Sequence, residues 1–465
     1  MSGSGGHDAT IRGWAVDPAT GREGAAEAVV RDGVLERLTW LAGSAAGGLH
    51  RAGTLILPGL VDMHAHFREP GNEDAETVAT GLAAAAHGGF TTVGLMPNTT
   101  PALDEPSVLA RIRAAAAATG SPVHVLAYGA VTAGRKGETL SAMGELADAG
   151  VVGFSDDGAS VQSAPLLRNA LAYAGALGLP IIDHPEDASL TAEAEASEGY
   201  TATVLGLKGW PVAAEAGSVA RSIAVLADVV HDVPGARLHL THVSTAASIA
   251  HVRAAKQAGL PVTCDVTPHH LALSDEWVAG ARRWAWEALD ADGRARDPWA
   301  DGALVAAPFD SSLRVNPPLR SAEDAAACRA ALRDGTADAI ATDHAPHTEV
   351  DKHVEFGWAS NGISGIETAL SVALAAVAAG ELPLARAVAL LTTGPAAVLG
   401  ASAGVAPGLR EGEPADLVVV DAAASWAPSP ASLASKGSNT PLLGRELPGV
   451  VRLVVAGGRV AYAEP

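Results

Sequence analysis

Short Val-, Ile- and Leu-rich runs alternate with Ala-rich stretches of helical length from Leu60 to His344. That alternation is the pattern of βα units laid on a parallel sheet, and it constrains this chain more than any other feature. Eight strands are predicted: LVDMHAH (residues 60–66), TTVGLM (91–96), VHVLAYG (123–129), VVGFSDD (151–157), PIIDH (180–184), RLHLTH (237–242), PVTCDV (261–266) and AIATDH (339–344). Eight parallel strands fit a closed (β/α)8 TIM barrel, with an open doubly wound sheet as the alternative. The placement of polar residues favours the barrel. Most of the runs end in His or Asp, and the C-terminal ends of barrel strands converge on one mouth, which an open sheet does not provide.

Two flanking pieces have a different rhythm. Residues 28–57 and 408–462 contain alternating or Val-rich runs such as AVVRDGVLERL, DLVVVDA and VVRLVVAGGRVAY, which read as strands and hairpins. Because they bracket the barrel, the expected α/β organisation is one small β-sandwich domain from residues 11–57 and 402–465. The barrel then occupies residues 58–401, with an insertion around residues 279–312. Residues 1–10 are Gly/Ser-rich without the basic start and apolar stretch of a signal peptide, and are expected to form a disordered tail.

Thirty-one Lys+Arg against 52 Asp+Glu give a formal charge of -21. Such a field repels phosphate backbones and anionic membrane surfaces, which argues against nucleic acid as a partner. The longest uncharged stretch, residues 387–409, is broken by Gly394, Pro395 and Pro407, so no membrane helix is expected. Cys264 and Cys328 are too few for a disulfide framework or a Cys-rich zinc site, as in a reducing cytoplasm. Any metal must be held by His and carboxylate.

The strongest local signal is His64-Ala65-His66 at the end of the first strand. Residues at i and i+2 leave the same face of a strand, so both imidazoles can enter the mouth and share one metal. Taken alone, such a pair reads as packed or surface histidines. Asp157, His184, His242 and Asp343 occupy the ends of the fourth, fifth, sixth and eighth strands. Four His and two Asp would serve two metal ions if one carboxylate bridges them.

The motifs extend over nearly the whole chain. PGLVDMHAHFREPG (residues 58–71) is followed by GGFTTVGLMPNT, YGAVT, GFSDDG, HPED, LTHVST, TPHHL, VNPPLR, ATDHAPH, GISGIET and SNTPLLGRELPG (438–449). In these the chain resembles the dihydroorotases of the longer bacterial type, in the cyclic amidohydrolase branch of the amidohydrolase superfamily. The resemblance implies reversible hydrolysis of L-dihydroorotate to N-carbamoyl-L-aspartate in de novo pyrimidine (UMP) biosynthesis. It implies two zinc ions per chain, one on His64 and His66 and the other on His184 and His242, bridged by Asp157 and a hydroxide. Asp343 is then a ligand that doubles as catalytic base.

The same resemblance places His66, Phe67 and Arg68 against the substrate, with Arg68, Asn98 and His347 on its carboxylate. Asn316 and the backbone of Asn361 and Gly362 hold the ring. A hydantoinase or allantoinase is the alternative within the same chemistry; many of these place a carboxylated Lys at the bridge, and VVGFSDDG contains none. A non-catalytic dihydroorotase-like scaffold for aspartate transcarbamoylase is the alternative outside it, and such a protein is expected to have lost ligands. A homodimer and an association with aspartate transcarbamoylase are both open to such a chain.

Other polar residues get plainer readings. His87 is expected in the last turn of a helix before Gly88, a structural role. His124, His239 and Cys264 are expected to pack within strands, and Asp156 to serve a loop or cap. His269, His270 and His344 are candidates for orienting ligands. Residues 272–314 look like an insertion after the seventh strand, with Trp277, Trp284, Trp286 and Trp299 as anchors for a partner or subunit. The charged segment 348–358 is the expected mobile loop over the substrate.

Overall fold

The computed structural model describes residues 8–41 and 53–464. The first seven residues of the expected tail lie outside that description, while Ala9 and Thr10, placed in the tail from the sequence, open a strand, Ala9–Asp17.

The eight apolar runs pair in chain order. Leu60–Ala65 lies parallel to Phe90–Leu95, which lies parallel to His124–Ala127. Bridges from Gly129 to Phe154 and from Phe154 to Ile181 carry the order to Ile181–Asp183. Leu238–Leu240, Val262–Val266 and Ala339–Ile340 follow, all parallel. A parallel bridge between His344 and Ala65 then returns to the first strand, so the pairings run in a circuit. The first two strands are buried at every position, as helices covering a parallel sheet require. The fourth run is reduced to its bridge at Phe154, because the following residues leave the ladder to bond loops. Asp156 Oδ1 accepts from the N–H groups of Val131 and Thr132 at 2.9 and 3.1 Å, the loop role expected of it.

Both chain ends meet in one seven-stranded sheet. Its order is Arg459–Ala463, Leu447–Ala456, Leu417–Trp426, Thr54–Pro58, Ala9–Asp17, Arg22–Arg31 and Val34–Trp40. The strands bury a separate apolar cluster that includes Ala15, Val30, Leu35, Ile56, Leu417 and Val455. Thr54–Pro58 feeds directly into the first strand of the circuit through Gly59. A Cβ there would lie 2.1 Å from Thr91 Oγ1, so only glycine allows the two strands to approach. Where these strands begin, a cavity of about 430 Å³ is lined by Gly59, Thr91, His124, Asp416 and Gly457, far from the polar strand ends. His124 is exposed there, contrary to the packed role expected from its strand position.

The insertion after the seventh strand also departs from expectation. Trp277 is fully buried and Trp284 nearly so, and Trp284 stacks on Trp286 with centroids 5.2 Å apart. Arg445, from the C-terminal segment, places its guanidinium 3.8 Å above Trp284. Trp299 packs edge-on to Tyr200. Trp277 and Trp284 are thus taken up by the chain's own core, while Trp286 and Trp299 are half-buried. The segment 348–358 contains a short helix, Glu349–Lys352. Lys352 is buried and donates to the carbonyls of Ser311, Arg314 and Ser360, pinning this segment to the end of the insertion. No helix among the described residues is long and apolar enough to cross a membrane.

Candidate metal centre

The polar strand ends converge as the pattern predicts. His64, His66 and Asp157 form one group of converging donor atoms, and Asp157, His184 and His242 form a second; every member is buried. Asp157 Oδ1 lies 3.5 Å from His64 Nε2, 3.4 Å from His184 Nδ1 and 3.5 Å from His242 Nε2, yet it has no hydrogen-bond partner. A buried carboxylate oxygen that faces three imidazoles and is bonded to none fits a metal-binding group. Asp343 Oδ1 lies 3.0 Å from His66 Nε2 and 3.4 Å from His64 Nε2, beside the first group.

The electrostatics agree with a cation site. Burial pushes the imidazoles of His64 and His184 down, but the facing carboxylates outweigh it and raise them to about 9 and about 10. Burial likewise pushes Asp157 and Asp343 up, and the imidazoles outweigh it and hold both carboxyls below the usual range. A pocket whose carboxylates demand compensating charge is suited to divalent cations.

Three of the four histidines are oriented through their other nitrogen, as metal ligands require, whereas His242 Nδ1 is buried without a hydrogen-bond partner. His64 Nδ1 is 2.7 Å from Thr241 Oγ1, which donates to Asp265 Oδ2 at 3.0 Å. Asp265 also bonds His239 Nε2 at 2.8 Å and accepts the His242 backbone N–H at 2.7 Å. His66 Nδ1 is 2.9 Å from Asn98 Oδ1, and His184 Nε2 is 2.9 Å from Glu186 Oε2. Burial pushes Glu186 up, but bonds from His184, Thr191 and Asn316 prevail and bring it to about 2. The side chains of His269, His270 and His344 bond none of these residues. His270 reaches Thr267 and the Pro317 carbonyl, and His344 accepts from Gly365 and faces Glu76. His87 does sit in the last helical turn, bonded to Glu367.

Three of the seven non-glycine residues with positive φ among the described residues lie at the same place. Arg68, His242 and Asp343 have φ of 60°, 39° and 47°, in the left-handed region that non-glycine residues seldom adopt. Behind His242 the loop is locked by buried Glu215, whose Oε1 accepts the N–H groups of Ser244 and Thr245, both at 3.0 Å. Arg320 faces Glu215 at 3.5 Å and donates to Ser244 Oγ at 3.0 Å, fully inside the protein. Removing one partner of such a pair leaves an uncompensated buried charge. Arg320→Ala is therefore expected to destabilise the fold by about 3–5 kcal/mol, read as a lower denaturant midpoint.

On the substrate side, Arg68 Nε donates to the Pro346 carbonyl at 3.1 Å, and Nη2 lies 3.2 Å from His347 Nε2. That nitrogen is also 2.8 Å from the Asn361 carbonyl. One ring nitrogen serves only one of the two, and an Nε2–H donating to Asn361 leaves the guanidinium free for a ligand. Burial, then Arg68, push His347 down to about 3, so the ring is neutral. Phe67 departs from expectation: its ring packs over Gly81 and edge-on to His344, inside the core. Asn316 donates to Glu186 Oε2 at 2.9 Å, while its Oδ1 is buried without a partner. Gly362 has φ of 149°, and a Cβ there would lie 2.6 Å from the Ala345 carbonyl oxygen.

Asn439 clamps these loops. It donates to the Ala345 and Gly362 carbonyls at 3.1 and 2.9 Å, and accepts from His347 N–H and Ser364 Oγ at 2.9 and 3.0 Å. Asn439→Ala is expected to raise KM more than it lowers kcat, since it loosens the substrate loops and leaves the metal ligands untouched. Steady-state kinetics on the intact chain checks this. Glu186, Asp265, Glu215 and Arg320 were not picked out from the sequence. Only Glu186 carried a local signal, standing two residues after His184 in HPED.

A family model described as "Dihydro-orotase-like" matches residues 53–248. A protein named dihydroorotase from Anaeromyxobacter dehalogenans is 46% identical over 456 residues, covering 97% of each chain. The chain belongs to the dihydroorotase family. Another dihydroorotase, from Pelotomaculum thermopropionicum, is 44% identical and also covers 97% of each chain. Among solved structures, an L-hydantoinase (dihydropyrimidinase) from Arthrobacter aurescens matches with a TM-score of 0.75 at 23% identity, over 97% of this chain and 94% of its own. A dihydropyrimidinase from Brevibacillus agri matches with a TM-score of 0.74 at 20% identity, over 98% and 95%. This member of the dihydroorotase family thus shares its overall fold with cyclic-amide hydrolases of a different name.

Proposed function

We propose that the chain hydrolyses the cyclic amide of L-dihydroorotate reversibly, the biosynthetic direction being ring closure of N-carbamoyl-L-aspartate. The observation that carries the substrate is Arg68. Its guanidinium sits beside the metal-ligand cluster with a carbonyl and a neutral imidazole for neighbours, and no acid pairs with it among the described residues. A half-buried cation so placed is suited to a substrate carboxylate. In the same reading the strand circuit is a closed (β/α)8 barrel of residues 58–401, and the end sheet is a small β-sandwich of residues 11–57 and 402–465. Support comes from the return of the pairings to Ala65 and from the separate core of the sheet.

The two groups that share Asp157 suit two zinc ions, since imidazole and carboxylate are zinc donors. Bound there, the metal polarises the amide carbonyl and lowers the pKa of water. The chain's own groups do the rest. Asp343, ionised by its imidazole neighbours, takes the proton of the attacking water and returns it to the leaving amide nitrogen. Arg68 and the free end of the Asn98 amide hold the substrate carboxylate, which turns the ring amide toward Asp343. Asn316 and the Asn361–Gly362 backbone hold the ring.

A hydantoinase is the second reading, and the fold likeness favours it. Arg68 and the absence of Lys from residues 151–158 weigh against it. The test is hydrolysis of L-dihydroorotate, hydantoin and allantoin by the zinc-loaded protein. Activity confined to dihydroorotate is expected. Turnover of the neutral rings alone would overturn the reading, and no turnover at full zinc loading would point to a missing partner such as aspartate transcarbamoylase.

A further inference from the structure

Glu186 lies between the metal cluster and a cavity of about 220 Å³ lined by Glu186, Thr191, Arg314, Asn316 and Asn361. A single oxygen, Oε2, is 2.9 Å from His184 Nε2 and accepts from Asn316 Nδ2 at 2.9 Å. The other oxygen is held by Thr191 Oγ1. A carboxylate oxygen accepts hydrogen bonds, and two nitrogens lie 2.9 Å from this one, so each turns a donor toward it. For His184 this puts a proton on Nε2 and makes Nδ1 the nitrogen that faces Asp157 and His242. For Asn316 it fixes the flip of the amide. The NH2 end is consumed, and Oδ1, buried without a partner, is the end left for a ligand.

We propose that Glu186 is a positioning residue that sets a metal ligand and the ring-recognition amide from one carboxylate oxygen, making Asn316 a hydrogen-bond acceptor. The inference rests on the dihydroorotase reading and adds a rule of selection to it. The pocket takes cyclic ureides that offer a ring N–H to Asn316, and a ring methylated at that nitrogen leaves Oδ1 buried and unpaired. Such a loss discriminates strongly, because a site built around a hydrogen bond is penalised when the partner is missing.

The test uses the full-length zinc enzyme with Glu186→Ala, Glu186→Gln, Asn316→Ala and the Glu186→Ala/Asn316→Ala double variant. Three quantities are read: zinc affinity by chelator competition, KM and kcat for L-dihydroorotate, and inhibition by its ring-N-methylated analogues. Glu186→Ala is expected to weaken zinc binding by about 10–100-fold, the usual consequence of removing a group that orients a metal ligand. Its KM should rise, and its preference for N–H over N-methyl rings should shrink. Glu186→Gln, which keeps an acceptor oxygen and the side-chain volume, should recover part of both losses.

Asn316→Ala should lose the ring preference with zinc affinity unchanged, and the double variant should raise KM no further than Asn316→Ala does. Multiplying KM effects, or unchanged zinc affinity in a folded Glu186→Ala, would overturn the proposal. If the wild type turns over only hydantoin, the dihydroorotase reading fails. The same cycle run on hydantoin then judges the Glu186 assignment separately.

Discussion

Asp343→Asn is expected to lower kcat for L-dihydroorotate by about 10²–10⁴-fold, the range that a positioned acid–base group supplies. Asn is the informative replacement because the backbone at this position is left-handed, with φ of 47°, and Asn tolerates that region better than Ala. The substitution preserves shape and removes the negative charge, and with it the capacity to take up a proton. The carboxylate starts in the basic form because the imidazoles of His64 and His66, 3.4 and 3.0 Å away, outweigh the effect of burial. Single-turnover and steady-state rates, with zinc measured on the same samples, check the result. A variant that keeps its zinc and most of its kcat would move the base elsewhere.

Arg68→Ala is expected to lower kcat/KM for L-dihydroorotate by roughly 30- to 5,000-fold, corresponding to about 2–5 kcal/mol for truncating one partner of a buried charge pair. Zinc content should not change, since Arg68 contacts Pro346 and His347 and no metal ligand. Arg68→Lys keeps the charge but loses the planar fork, and should recover only part of the activity. Hydrolysis of a neutral ring, if present, should be unaffected in both variants. That contrast separates loss of carboxylate recognition from damage to the metal centre. An unchanged rate on dihydroorotate in Arg68→Ala would remove the substrate assignment.

Much of the architecture was legible in one dimension because its determinants are local. Hydrophobic runs of strand length, the first two buried at every position, identify parallel strands without reference to neighbours, and their order around the circuit follows the chain. The convergence of His64, His66, Asp157, His184, His242 and Asp343 followed from the same periodicity, since each stands at a strand end. Where the residues of a run bond loops the reading was coarser: the fourth strand survives only as the bridges at Phe154. Phe67 was misplaced for a related reason. Sequence adjacency to His66 says nothing about which way a ring turns once the strand has ended, and here it turns into the core over Gly81.

The insertion shows the opposite limit. Four tryptophans in one loop read as surface anchors, but whether an aromatic ring is exposed depends on what reaches it. Here Arg445 arrives from a segment more than a hundred residues away and covers Trp284. The supporting groups of the centre were hidden likewise. Asp265, Glu215 and Arg320 act through burial and long-range hydrogen bonds that have no period along the chain. The sequence by itself determined the strands, their order and the inventory of converging His and Asp side chains, because strand periodicity is a property of neighbouring residues. Only the tertiary structure decided which nitrogen each histidine offers, which end of the Asn316 amide is free and whether Arg68 is already paired, because each depends on atoms from distant segments.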